Sequence, residues 1–151
     1  MLEYIKICRP DHWLKNIFIV FGHVVAWALA LDFEWNAGLA GRAALSLIPA
    51  CLVASANYIL NEILDAPFDA VHPAKRLRGI PAGKVKVPLL WRLMAGLVIA
   101  AFVLCWLLEF NWAYQVALLL LLISGVVYNV PPLRLKDRAF LDVIAESFNN
   151  P

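Results

Sequence analysis

Runs of residues without Asp, Glu, Lys or Arg occupy positions 16–31, 43–61, 93–108 and 110–133 of the chain. Each approaches the roughly 20 apolar residues that carry a helix across about 30 Å of hydrocarbon, where every backbone N–H and C=O must be satisfied within the segment. A buried core helix of a water-soluble domain can mimic one such run, but hardly four. The pattern predicts a first span starting near Trp13 and further spans over about 38–64, 87–108 and 111–130, the last ending before Pro131-Pro132. Residues 1–10 read as a short amphipathic lead-in broken by Pro10. Residues 140–151 begin another apolar, helix-compatible stretch that stops after about a dozen positions, short of the roughly 20 a span requires. The expected fold class is therefore all-α: one polytopic transmembrane bundle over 1–151, with four full spans plus the start of a fifth, cut at its C-terminal end.

Composition agrees: 63% hydrophobic and 16% charged residues exclude disorder and disfavour an ordinary soluble domain. Charge placement says more than the net +2. Of the basic residues, Lys6, Arg9 and Lys15 precede the first span, Lys75, Arg76, Arg78, Lys84, Lys86 and Arg92 lie between the second and third, and Arg134, Lys136 and Arg138 follow the fourth. These segments alternate along the chain and so share one side, the cytoplasmic one by the positive-inside rule, which places the N-terminus and the long 72–86 loop inside an inner membrane. Ala28-Leu29-Ala30 offers the small residues of a signal cleavage site, but the lead-in carries Glu3 and Asp11 and three more spans follow, so cleavage is not expected. Cys8, Cys51 and Cys105 have no ligand spacing and read as small buried hydrophobes, and the six Trp residues read mostly as interface anchors.

Ionisable groups at membrane depth are costly and mark function by default. The densest group is Asn57-Tyr58-Ile59-Leu60-Asn61-Glu62-Ile63-Leu64-Asp65-Ala66-Pro67-Phe68-Asp69, at the cytoplasmic end of the second span. On a helix Asn57, Asn61, Asp65 and Asp69 recur every four residues, so neighbours share a face. Pro67 predicts a kink or restart before Asp69, because it lacks an N–H and clashes with the Ile63 carbonyl. Two carboxylates at a water-facing helix end suit Mg²⁺, which takes one or two carboxylates, keeps several waters and fills its octahedron with substrate phosphate oxygens. Lys75, Arg76 and Arg78 follow, fixed positive charges for the same phosphates. Metal and cations together describe a diphosphate site. The plainer alternative is that Asp65 and Asp69 cap a helix restarted at Pro67, and that the basic run only obeys the positive-inside rule.

A second cluster, Tyr128-Asn129-Val130-Pro131-Pro132-Leu133-Arg134-Leu135-Lys136, is followed by Asp142 and Glu146, again four apart. By itself it also reads as an ordinary inner-loop ending. His23, within the first span, has no evident partner and is left without a role.

At these residues the chain resembles the UbiA superfamily of intramembrane prenyltransferases, whose Asn-Asp-x-x-Asp-x-x-x-Asp motif corresponds to the segment from Asn61 to Asp69, with Glu62 replacing the first Asp. Tyr128 to Lys136 resembles, with altered spacing, the family's Tyr-x-x-x-Lys feature. Arg9-Pro10-Asp11-His12-Trp13-Leu14-Lys15-Asn16 and His72-Pro73-Ala74-Lys75-Arg76-Leu77-Arg78 resemble the branch that includes decaprenyl-phosphate phosphoribosyltransferase, Gly79 standing where that branch has Pro. The resemblance implies the first half of a nine-helix fold holding one of two metal-binding walls. It implies Mg²⁺ on Asp65 and Asp69, with Asn61 in support and Glu62 an uncertain ligand. Lys75, Arg76 and Arg78 would join the two Asp in catalysis, and Asn57, Asn61, Lys15, Tyr128, Lys136 and Asp142 would bind substrate.

The activity so implied is Mg²⁺-dependent transfer of a prenyl group from a polyprenyl diphosphate to a small-molecule acceptor, releasing pyrophosphate. In the narrower branch a phosphoribosyl group passes instead from phosphoribosyl pyrophosphate to polyprenyl phosphate. Both set the partners as a polyprenyl (di)phosphate lipid, a small molecule and the membrane, without nucleic acid, and a half-bundle alone is expected to be inactive. From a different class comes a non-catalytic four-span module whose Lys75, Arg76 and Arg78 bind anionic lipid. The predicted topology has a direct test. A reporter enzyme that works only in the cytoplasm is expected to be active when fused after residue 86 and inactive when fused at Glu34 or Glu109; the opposite pattern refutes this orientation.

Overall fold

The computed structural model describes residues 2–17, 20–22, 24, 25, 28 and 37–138, and the side chains of all of these except 15–17. Their regular structure is helical: α1 (Leu2–Ile7), a 3-10 helix (Pro10–Ile17), α2 (Ala37–Val71), a 3-10 turn (Lys75–Leu77), α3 (Val87–Leu107), α4 (Trp112–Asn129) and a last 3-10 turn (Leu135–Asp137). Residues 20–22, 24, 25 and 28 are helical as well. Three of these helices, α2, α3 and α4, are long and apolar enough to cross a membrane. Residues 18, 19, 23, 26, 27 and 29–31 of the first predicted span lie outside the described residues, His23 among them, as does the 140–151 stretch with Asp142 and Glu146.

Chain chemistry explains the boundaries. Lys86 precedes α3 and Pro88 sits in its first turn, where a missing N–H costs nothing. Asn111 caps α4, its side-chain oxygen accepting from the Tyr114 N–H at 2.9 Å. Between them Glu109 adopts a φ of 52°, and its carbonyl accepts from Arg42 of α2 at 2.9 Å, tying the α3–α4 turn to the start of the central helix.

The second span is longer than its apolar run. At 35 residues α2 reaches about 50 Å, well past the hydrocarbon thickness, so its last turns stand beyond the bilayer core. The restart expected at Pro67 does not occur: Pro49 and Pro67 both lie inside one continuous helix that also carries Asp65 and Asp69. Neither carboxylate is therefore a cap. A proline inside a helix costs about 3 kcal/mol, and here both carboxylates flanking Pro67 are ion-paired to other segments, which opposes any swing of this end.

Helix α2 is the hub, with 56% of its most apolar window buried against 11% for α3 and 17% for α4, whose outer faces are left for lipid. Small residues let the helices approach. Ala50 and Val53 of α2 meet Ala101 and Cys105 of α3 and Leu118 of α4 in one cluster, and the Tyr114 hydroxyl donates to the Ser46 carbonyl. A second cluster joins Ile7, Ile59, Val85 and Leu90, so the lead-in, α2, the inner loop and α3 meet at the other end. Gly79, where the resemblance expects Pro, is buried here; a Cβ on it would stand 3.1 Å from the Ile7 side chain.

The lead-in docks instead of opening a span at Trp13, which belongs to the 3-10 helix begun by Pro10. Trp13 Nε1–H donates to Ser55 Oγ at 3.0 Å, Ser55 donates to the Cys8 carbonyl at 2.8 Å, and the Tyr4 hydroxyl accepts from the Lys86 N–H at 2.9 Å. Partial burial pushes the Cys8 thiol above its ordinary value, while Lys6, 2.8 Å away, holds the partly exposed Glu3 carboxyl below its own. Because Ser55 is buried and serves two partners, Ser55→Ala strands a donor and an acceptor and is expected to cost about 1–3 kcal/mol. Faster hydrogen exchange confined to residues 2–13 would report the loosened lead-in; unchanged protection there contradicts this docking.

Candidate functional site

The polar stripe of α2 does not stay together as one group. Asn57 turns to α4, its Nδ2–H donating to the Leu121 carbonyl at 2.9 Å. Asn61 and Asp65 turn to the segment after α4. There the Pro131-Pro132 peptide bond is cis and Arg134 takes a φ of 30°, a left-handed conformation costly for a side-chain-bearing residue. This turn brings Lys136 back against α2, where its ammonium donates to Asp65 Oδ1 at 2.5 Å and to Asn61 Oδ1 and Asn129 Oδ1, each at 3.0 Å. Arg134 adds a contact to Asp65 Oδ1 at 3.2 Å, pairs with Asp137 at 2.7 Å and lies over the Phe68 ring at 4.5 Å.

Asp69 belongs to a separate cluster. Its nearly buried carboxylate faces Lys75 Nζ at 3.5 Å and Arg78 at 3.6 Å. Of the basic run, Lys75 and Arg78 thus face Asp69, and neither pairs with Asp65. Arg76 is exposed and makes no ion pair among the described residues. Glu62 is half-buried and likewise has no ion pair among them.

Beside Asp65 lies a cavity of about 320 Å³, lined by Arg9, Ala54, Asn57, Tyr58, Asn61, Asp65, Gly125, Tyr128, Asn129 and Lys136. Five of the sequence-predicted site residues, Asn57, Asn61, Asp65, Tyr128 and Lys136, meet there. The side chain of Lys15 and all of Asp142 lie outside the described residues. Arg9, Asn129 and Arg134 all stand within the quoted motifs but carry no site role in the sequence reading, and the 69-residue separation of Arg134 from Asp65 leaves no local signal for their pairing.

The donors around Asp65 suit a hard cation. Three side-chain oxygens, one a carboxylate and two amides, converge on a single positive centre, the Lys136 ammonium. Oxygen donors with one or two carboxylates are what Mg²⁺ takes.

The sequence profile described as the UbiA prenyltransferase family matches residues 16–148. The chain belongs to this family. Among curated proteins it is similar to the decaprenyl-phosphate phosphoribosyltransferase of Mycolicibacterium smegmatis, with 30% identity over 92% of this chain and 42% of the relative. It is also similar to the protein of the same name from Corynebacterium glutamicum, at 32% identity over 62% of this chain and 27% of that one. The nodulation protein NoeC of Azorhizobium caulinodans is 36% identical over 56% of this chain and 25% of its own length. The chain thus spans about two fifths of the length of the first of these relatives.

In this UbiA-family chain the cavity wall depends on one close approach. A Cβ on Gly125 would fall 2.2–2.4 Å from three atoms of the Asn57 side chain, so α4 meets Asn57 only because position 125 has no side chain. Gly125→Ala is expected to destabilise the protein by about 1–3 kcal/mol through overpacking. Asn57→Ala in the same chain should restore most of the loss; thermal unfolding that is additive in the double variant argues against this contact.

Proposed function

We infer that the full-length protein transfers a phosphoribosyl group from phosphoribosyl pyrophosphate to a polyprenyl phosphate at the cytoplasmic face of the membrane. The observation that carries this reading is the character of the cavity. Eight of its ten lining residues are polar or charged, only Ala54 and Gly125 being without a polar side chain. Its size lies at the lower end of the roughly 300–1,000 Å³ of small-molecule sites. Although apolar atoms make up more of the exposed lining, its amides, hydroxyls and charges offer a sugar phosphate its hydrogen bonds, and an isoprenoid tail would desolvate them without replacement. The names of the similar mycobacterial and corynebacterial proteins support the same choice. Prenyl transfer from a polyprenyl diphosphate, the broader expectation of the family resemblance, has less support on both counts. Two of the three cations required by a lipid-binding module, Lys75 and Arg78, face Asp69.

In this reading the bond between ribosyl C1 and the pyrophosphate oxygen breaks with its electron pair going to that oxygen. A phosphate oxygen of the lipid forms the new bond at C1, and pyrophosphate leaves. Lys136 and Arg134, oriented by Asp65, and Lys75 and Arg78, oriented by Asp69, offset charge on the departing group, an electrostatic contribution often worth about 10²–10³ in rate. Asp65, with Asn61 and Asn129 beside it, would hold Mg²⁺, and Asp69 would complete that wall. The metal supplies charge neutralisation of the leaving diphosphate. Tyr58, Tyr128 and Asn57 line the space for the sugar.

With full-length protein in lipid, Mg²⁺ and a polyprenyl phosphate, phosphoribosyl pyrophosphate is expected to release pyrophosphate, and Asp65→Asn to lower kcat by about 100-fold or more. No pyrophosphate from this donor, or release from a polyprenyl diphosphate and a small acceptor instead, sinks the proposal; an unchanged rate in Asp65→Asn removes Asp65 from the mechanism.

A further inference from the structure

Arg9 differs from the other cations near the site. Lys136 and Arg134 face Asp65, and Lys75 and Arg78 face Asp69, whereas Arg9 has no carboxylate within ion-pair distance among the described residues. It nevertheless lines the cavity, half-buried. Its backbone holds an uncommon φ of 47°, secured by its N–H donating to the Lys6 carbonyl at 3.2 Å and its own carbonyl accepting from the His12 N–H at 2.9 Å. Its guanidinium stands 5.3 Å from the Tyr58 ring centroid, a cation–π contact. His12 shares a hydrogen bond of 2.9 Å with the Tyr58 hydroxyl and meets its ring edge-on, so the aromatic platform under Arg9 is itself clamped. The pinned lead-in thereby presents a planar five-donor fork to the cavity, with no ion-paired carboxylate among the described residues and Glu62 feeling its charge from beyond ion-pair distance.

Position matters as much as charge. Tyr58 precedes Asp65 by two helical turns, about 10 Å along α2. Arg9 is thus at a different level of the cavity from the Asp65–Lys136 cluster. Phosphoribosyl pyrophosphate carries its 5-phosphate and its 1-diphosphate on opposite sides of the ribose, and the acceptor lipid carries a phosphate monoester too.

We propose that Arg9, braced by Tyr58 and His12, forms a subsite for a phosphate monoester, separate from the diphosphate position at Asp65 and Lys136. The subsite rests on the phosphoribosyl reading for its place in catalysis, but its chemistry is that of the guanidinium fork and a phosphate dianion, which pair bidentately. A donor that is a prenyl diphosphate has no second phosphate to place there, so Arg9 becomes a specificity residue for the sugar phosphate or for the lipid phosphate.

The test is calorimetric binding of ribose 5-phosphate, farnesyl phosphate and pyrophosphate to the full-length protein in nanodiscs, comparing wild type with Arg9→Met and Arg9→Lys. Arg9→Met is expected to weaken one monoester by about 10- to 100-fold while pyrophosphate binding stays within about twofold of wild type, and Arg9→Lys to fall between. Loss of ribose 5-phosphate assigns the subsite to the donor; loss of farnesyl phosphate assigns it to the acceptor. Retained pyrophosphate binding also shows that the variant is folded. Wild-type protein that binds neither monoester, variants that bind both unchanged, or a loss that strikes pyrophosphate equally overturns the subsite. Failure of the donor reading is seen separately, as absence of pyrophosphate release from phosphoribosyl pyrophosphate by the wild type.

Discussion

The Asp65 carboxylate and the Lys136 ammonium meet at 2.5 Å across a sequence separation of 71 residues, and the rest of that end of the bundle is arranged around the contact. Lys136 is 11% exposed and Asp65 26%, so neither charge is fully solvated, and their attraction must compensate for water they have lost. Asn61 and Asn129 supply the remaining acceptors, and Arg134 supplies a second cation. Removing Asp65 would leave two cations without their shared carboxylate, whereas removing either cation leaves it the other. The same contact closes α4 onto α2 and forms one wall of the cavity, so stability and the candidate chemistry depend on the same atoms.

Around that contact the central helix does two jobs. Its middle is lined by Ser46, Ala50, Val53 and Ala56, small enough for α3 and α4 to pack closely. Its last turns extend past the apolar run and carry the carboxylates out to where cations from the flanking loops can reach them. Hydrocarbon has no water to satisfy a stray polar group, which is why Asn57 finds the Leu121 carbonyl and the Tyr114 hydroxyl finds that of Ser46.

Of the site, the local part was readable and the long-range part was not. Four-residue spacing groups Asn57, Asn61, Asp65 and Asp69 on one helix face, and Lys75 and Arg78 follow closely enough in sequence to reach Asp69. The partners of Asp65 come from beyond α4. Pro67 misled over the helix, because a local cost was outweighed by ion pairs that no local rule contains. Arg9 and its Tyr58–His12 brace went unassigned for a similar reason: the lead-in reads as an amphipathic flank, and only docking through Ser55 turns it into a cavity wall.

The sequence by itself determined the all-α class, the positions of the three described spans and the identity of the α2 polar stripe, because hydropathy, capping and helical periodicity are properties of neighbouring residues. The tertiary structure alone decided that the stripe divides between two ion clusters, that α2 runs unbroken through Pro67, and that Arg9, Asn129 and Arg134 join the site. Those outcomes depend on hydrogen bonds and ion pairs between residues as far apart as His12 and Tyr58, separated by 46 positions, and Asn61 and Lys136, separated by 75. Such pairings are selected by the cost of leaving a partly buried charge or amide unsatisfied, and that cost exists only once the helices have packed.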